Sequence, residues 1–384
     1  MRARHLILAA ILGGVSTLAL QPAAHAYPQF QLSSGSSRCD ECHYSPDGGG
    51  LINAFGRDYV SDELSTFGGN GQLLHGAVRL PAWLALGGEL RGAFVSENDG
   101  DINGTTNAVF PMQADAEARA AYGVVSFYGV LGLRGQVRSD DTIVPEQNYQ
   151  PVTASTLVSR EHYFMLRSGS LGGYVRVGRF FAPFGLRMAE HILYVRQDLG
   201  FGTMQESYNL SAGYLAEQWE LHVTAFAPDF IRHMGSRESG LTAYVERRFA
   251  DIEAAALQLR VASGPGMTRT IVGAVSKTWI APLKTLVLAE ADFVRRDIPT
   301  ISPSYQFVGV GGFSVLPFKG IMATLLQERD QVDLSVSDAT YNATTALLSW
   351  FPYAHCEIQG MARLQVPSGG QDEKTLFVQL HYWL

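Results

Sequence analysis

Two thiols and an imidazole stand together near the start of the chain, as Cys39-Asp40-Glu41-Cys42-His43. Thiols at this spacing lie one helical turn apart, and each can add to a vinyl group of one porphyrin. The histidine after the second thiol is then placed beneath the iron. The pattern predicts a covalently attached c-type haem, with Cys39 and Cys42 as attachment points and His43 as axial ligand. A redox dithiol and half of a zinc site are the competing readings. Zinc needs two more ligands at short spacing, whereas the next cysteine is Cys356. A thioredoxin-like dithiol opens a helix within a βαβ unit, and no such pattern follows. Two of the three cysteines lie in the motif, so no disulfide framework remains.

The residues around the motif must hold such a group. Gly48-Gly49-Gly50 follows the histidine closely and suits a turn that lies against a porphyrin. Leu51 and Phe55 could pack on the haem or form a small core, and Arg57 could meet a propionate or solvent. His75 is the only histidine between the motif and the first expected strand, which makes it the candidate sixth ligand, against a plain surface role. The segment 27–80 is too short to bury much core alone, so it is expected to lean on its haem and on the rest of the chain.

Residues 1–26 read as a secretory signal. Arg2 and Arg4 precede the apolar stretch Leu6 to Leu20, and Ala24-His25-Ala26 is a small-residue cleavage pattern. An N-terminal membrane anchor is the alternative. Beyond residue 26 no apolar run reaches the ~18 residues that a membrane helix requires. The net charge of −7 excludes a basic nucleic-acid surface. Forty glycines with 11% aromatic residues suit many short strands.

From residue 81 to 384 the hydrophobic period is two. Met112, Ala114, Ala116, Ala118, Ala120 and Tyr122 fall on one face; Gln113, Asp115, Glu117 and Arg119 fall on the other. The same alternation recurs over 124–138 and 353–366, and about sixteen such runs can be counted. Long faces of small and aliphatic residues in an exported chain favour an all-β, 16-stranded transmembrane barrel of the outer membrane over a soluble β-sandwich. Tight connections near Gly123, Ser170, Asp251, Pro317 and Pro352 alternate with longer ones at 139–154, 181–206 and 229–237, as barrel turns and loops do. Alternation continues through Leu376, Val378, Leu380 and Tyr382 to the terminal Leu384, like a barrel-assembly signal. By parity His222, His355, His381, Met165 and Met361 line the lumen and Cys356 faces lipid. The stretch 178–191 resembles a porin constriction loop, and Glu190, His191 and Asp198 could offer ligands to a metal ion from outside.

The order of signal, Cys39-Asp40-Glu41-Cys42-His43, Asn53-Ala54-Phe55-Gly56-Arg57 and barrel resembles the fused outer-membrane monohaem cytochrome–porins, whose best-known members serve iron-oxidising bacteria. The resemblance implies one haem c on Cys39, Cys42 and His43, in a segment that plugs or caps its own barrel. It also implies electron transfer between an extracellular redox substrate, such as Fe(II), and a periplasmic cytochrome or other carrier. The chain departs from the family at the insert Ser45 to Gly50 and at Tyr59, where a basic residue is expected. A passive outer-membrane porin with a haem-bearing plug is the alternative function.

Overall fold

The computed structural model describes residues 28–34, 38–98, 100, 104–133, 157–169, 172–202, 205–230 and 237–384. The expected signal at 1–26 and the connection at 139–154 lie outside the described residues.

Seventeen strand segments follow one another. They are β1 (Leu84–Asn98), β2 (Thr105–Tyr122), β3 (Val125–Leu133), β4 (Leu157–Val158), β5 (His162–Arg167), β6 (Gly173–Phe180), β7 (Ser207–Leu215), β8 (Trp219–Ala227) and β9 (Ser239–Phe249). They continue with β10 (Glu253–Gly264), β11 (Met267–Ile280), β12 (Thr285–Asp297), β13 (Ser304–Phe318), β14 (Ile321–Gln331), β15 (Thr340–Trp350), β16 (Cys356–Pro367) and β17 (Glu373–Trp383). Each pairs antiparallel with its neighbours, and β1 pairs with both β2 and β17, so the sheet closes on itself. Both β4 and β5 pair with β3, through Leu133↔Leu157 and Gly129↔His162, and together form one interrupted stave. The cylinder therefore has sixteen staves, as the alternation predicts. The expected single run at 155–168 is broken at 159–161. There the pairing with β3 shifts by one residue, from Gly132↔Val158 to Gly129↔His162, with Val130 N still donating to Glu161 O at 2.8 Å, while Arg160 reaches Asp115 at 3.0 Å.

Closure leaves no unpaired edge, which is what allows strands to cross a bilayer. The two faces sort as the sequence predicts. On β3, Val125, Phe127, Leu131 and Leu133 are exposed, while Ser126 and Tyr128 are buried. On β10, Leu257, Leu259 and Val261 point outward, and Gln258 and Arg260 point inward. Leu376, Val378 and Leu380 continue the outer band on β17. The exposed apolar faces of this closed barrel meet lipid, and the protein is a bacterial outer-membrane barrel. Cys356 and the histidines and methionines assigned by parity fall as expected, with His222, His355, His381, Met165 and Met361 all buried. The turns at 123–124, 250–252, 319–320 and 351–355 share one end, the periplasmic end by the usual asymmetry of these barrels. The far end carries the 181–206 connection but also one tight turn, at 265–266, so the alternation of lengths is incomplete.

The inside of the cylinder is filled by two segments. The 181–206 loop, with the short helix Tyr194–Gln197, turns inward and lies against the wall. Gly185 N donates to Gln258 Oε1 at 2.6 Å, Leu186 N to Glu290 Oε2 at 2.8 Å, and Tyr194 N to Glu328 Oε2 at 2.8 Å. The second segment is the N-terminal one.

Candidate haem site

The motif sits inside the barrel, near its periplasmic end. Cys39–Glu41 forms one 3-10 turn, and His43 N donates to Cys39 O at 3.0 Å. A bridge between His43 and Ile52 folds the following loop back. That reversal runs through Gly48, Gly49 and Gly50, all with positive φ, so the glycine run supplies a left-handed backbone that other residues adopt at a cost. The helix α1 (Ala54–Tyr59) then packs on the motif. Its cap, Asn53, accepts from Gly56 N at 3.0 Å and donates to Glu41 O at 2.8 Å. Gly56 has no room for a side chain: a Cβ there would lie 2.8 Å from Cys42 O and 3.0 Å from Cys42 Cβ. The Asn-Ala-Phe-Gly-Arg stretch is thus a clamp on the second thiol.

Contacts from this segment reach around the wall. Gln31 accepts from Lys277 Nζ at 2.6 Å and donates to Glu246 at 3.3 Å. Asp40 pairs with Arg167. Asp47 pairs with Arg176 at 2.9 Å, and Arg176 Nη1 also donates to Ser45 Oγ at 3.0 Å. Thr66 N and Phe67 N donate to the carbonyls of Phe351 and Pro352 at 2.8 and 2.9 Å. Arg57, open between a propionate and solvent on sequence grounds, is buried rather than solvated. Its Nη2 donates to Leu86 O at 2.7 Å and to the terminal Leu384 O at 3.0 Å, tying the segment to both β1 and the chain end.

Besides a pocket at the Gly123 turn lined by Asp40, His43 and Met165, the motif borders two adjoining cavities. One, of about 230 Å³ and continuous with solvent, is lined by His43, Gly50, Leu51, Met188, His191 and His381 among others. The other, of about 150 Å³, is lined by Cys39, Asp47, Gly49, Arg187 and Met188 among others. His43 is buried, and neither ring nitrogen reaches a hydrogen-bond partner, although the backbone of Gly49 and Gly50 lies beside the ring. Burial pushes its pKa down to about 4, so the imidazole is neutral at physiological pH with a lone pair to give. An unsatisfied buried imidazole is costly in a folded chain and points to a missing partner. Burial also pushes the Cys39 thiol up to about 11 against the pull of Arg187, and it raises Cys42 further. Redox dithiols need the opposite, a lowered thiol pKa. Among the described residues no group of three or more His, Cys, Asp or Glu could hold a metal ion. Among them, Glu190, His191 and Asp198 are not gathered as a metal-holding group. The residues present fit a c-type haem in kind: two protonated thiols and a neutral imidazole with no partner, with cavity space beside Cys39 and His43, while Cys42 packs against Gly56.

His75 stands apart. It is exposed on the periplasmic rim, with Nε2 3.0 Å from Tyr382 Oη and its ring 4.5 Å from that of His355. It lines neither cavity. Leu51 does line the His43 cavity; Phe55 lines neither. Met188 and His191, on the inward loop, share that cavity with the motif.

Solved structures resemble this barrel closely in shape. The fold is that of the outer-membrane porins. An anion-selective porin from Comamonas acidovorans superposes with a TM-score of 0.59 at 10% identity, covering 78% of this chain and 99% of its own. Outer-membrane expressed OmpT of Vibrio cholerae gives 0.57 at 10% identity, with 80% and 99% covered. OprB of Pseudomonas putida gives 0.56 at 9% identity, with 78% and 94% covered. No protein-family model and no curated protein matches the chain.

The buried Asp47–Arg176 pair yields a pH prediction. Burial opposes ionisation of Asp47, but Arg176, with help from His222 and Ser45, holds its carboxyl below the usual range. A carboxyl depressed on docking contributes stability above its free pKa, about 4, and loses it as pH falls through the lower docked value. Limited proteolysis of the N-terminal segment should therefore accelerate on acidification in the wild type. In Asp47→Ala it should already be fast at neutral pH, because Arg176 is left buried without its anion at a cost of about 3–5 kcal/mol.

Proposed function

We propose that Cys39 and Cys42 hold one haem c by thioether bonds, that His43 ligates its iron, and that the chain carries electrons across the outer membrane between an extracellular donor or acceptor and a periplasmic carrier. Ferrous iron is one candidate donor. The observation that carries this reading is the buried His43, its ring nitrogens unpartnered, beside two protonated thiols and a cavity inside a closed barrel. When bound there the haem supplies a one-electron couple.

The chain's own residues do the remainder. His43 is held neutral by burial, ready to ligate. Arg57 and the α1 clamp fix the motif against β1 and the chain end. Contacts from Gln31, Asp40, Asp47 and Thr66 to opposite parts of the wall obstruct the lumen, so that redox exchange between the two faces does not require a free aqueous path. Burial and the choice of axial ligands would set the potential.

A second reading, a passive outer-membrane porin whose plug bears the haem, is favoured by the solved structures that share the fold, which are porins and channels. Protein reconstituted into vesicles separates the two. With a membrane-impermeant reductant outside and oxidised cytochrome c enclosed, the electron-transfer reading expects reduction inside without leakage of an enclosed small dye. Dye leakage with no protein-dependent reduction would leave the porin reading standing alone.

A further inference from the structure

The two cavities meet at one side chain suited to iron. A porphyrin bonded to Cys39 and Cys42 and ligated by His43 must occupy space reached from both Cys39 and His43, and its far face must look across that space. Cys39 borders one cavity and His43 the other; His43 also borders a separate pocket lined by Met165, which Cys39 does not reach. Three residues with a soft or imidazole donor from outside the motif line the His43 cavity: Met188, His191 and His381. Of these, Met188 alone also lines the Cys39 cavity. His381 is held at Nδ1, 3.2 Å from Glu357 Oε2, with Nε2 3.9 Å from Glu89 and without a hydrogen-bond partner, but it does not reach the Cys39 cavity. His191 lies instead between the His43 cavity and a third one bordered by Gln29 and Met112.

The backbone around Met188 is held from both sides. Its carbonyl accepts from Arg196. The preceding Arg187 donates to Asp47 O at 3.2 Å and to Glu220 at 2.9 Å, so the loop is bonded directly to the motif segment. Gly185 and Leu186 are anchored to Gln258 and Glu290 on the wall. The Met188 side chain is 0% exposed, a thioether carried on a loop otherwise tied down by polar contacts.

We propose that Met188, on the loop that folds into the lumen, is the sixth ligand of the iron held by His43. This inference rests on the haem reading above. Coordination by thioether and imidazole raises the potential relative to two imidazoles, so the loop would tune the couple as well as fill the barrel.

The test is spectroscopic and uses the purified full-length protein in detergent. The oxidised wild type should show the thioether-to-ferric charge-transfer band at the far-red edge. Met188→Leu should lose that band and keep its covalent pigment, with folding checked by heat-modifiable gel mobility. Met188→His should give a bis-imidazole spectrum and a lower midpoint potential, and it serves as the second variant should the leucine variant misfold. His191→Ala should keep the band. A pigmented wild type lacking the band, or a Met188→Leu protein retaining it, would overturn the proposal and leave the haem reading intact. A colourless wild type overturns both.

Discussion

Replacing Cys39 and Cys42 together by alanine is expected to give a folded barrel without pigment. In the wild type two thioethers would keep the porphyrin on the polypeptide through boiling in detergent, so a haem stain should mark the denatured band. In the double variant the stain should fall to background. The barrel should survive, because the hydrogen-bond ladder runs from β1 through β17 without the motif. Trimming Cys42, which is 1% exposed and packed against α1, should cost within the ordinary range of about 0.5–3 kcal/mol for a buried substitution. Heat-modifiable mobility would report that the barrel is intact. An unstained wild type, or a double variant stained as strongly, would sink the attachment.

Deleting residues 28–80 behind an intact export signal should turn a closed protein into an open channel. The wild type should show little or no single-channel current in planar bilayers. The segment touches β1, β5, β6, β9, β11 and the 351–355 turn, and so spans the lumen. Without it, a 16-stranded cylinder is wide enough to leave an aqueous passage. The inward 181–206 loop would narrow that passage without closing it, as it stays bonded to Gln258, Glu290 and Glu328 on its own side of the wall. The expected change is from no resolved openings to steady openings that scale with salt. Equal current from both forms would show that the plug does not seal the barrel and would favour the passive porin.

The two predictions draw on information of different reach. The barrel was legible in the residues because its rule is local. A strand crossing lipid must alternate, and an inward slip of one residue would expose Asp115 and Glu117 to hydrocarbon, so register and period are written into every run. The proposed attachment motif is legible for the same reason, since two thiols and an imidazole within five consecutive residues need no distant partner to be recognised. The break at 159–161 was missed, because it is a one-residue shift in pairing, defined only against the partner strand β3.

What only the tertiary structure decided lies in pairs far apart in sequence. Arg57 was left between propionate and solvent, yet it serves the carbonyl of Leu384, and no spacing rule connects residues 327 positions apart. Gln31 meets Glu246 at a separation of 215 by the same closure of the cylinder. Met188 looked like one more loop residue until the loop was seen folded against the motif, while His75, nearer in sequence, stands on the rim beside Tyr382. The amino-acid sequence by itself determined the wall and supplied the thiols and imidazole on which the proposed attachment rests. The interior belongs to the fold, because a closed barrel brings together whatever side chains its staves and inward segments happen to face, and that meeting is set by geometry rather than by neighbouring residues.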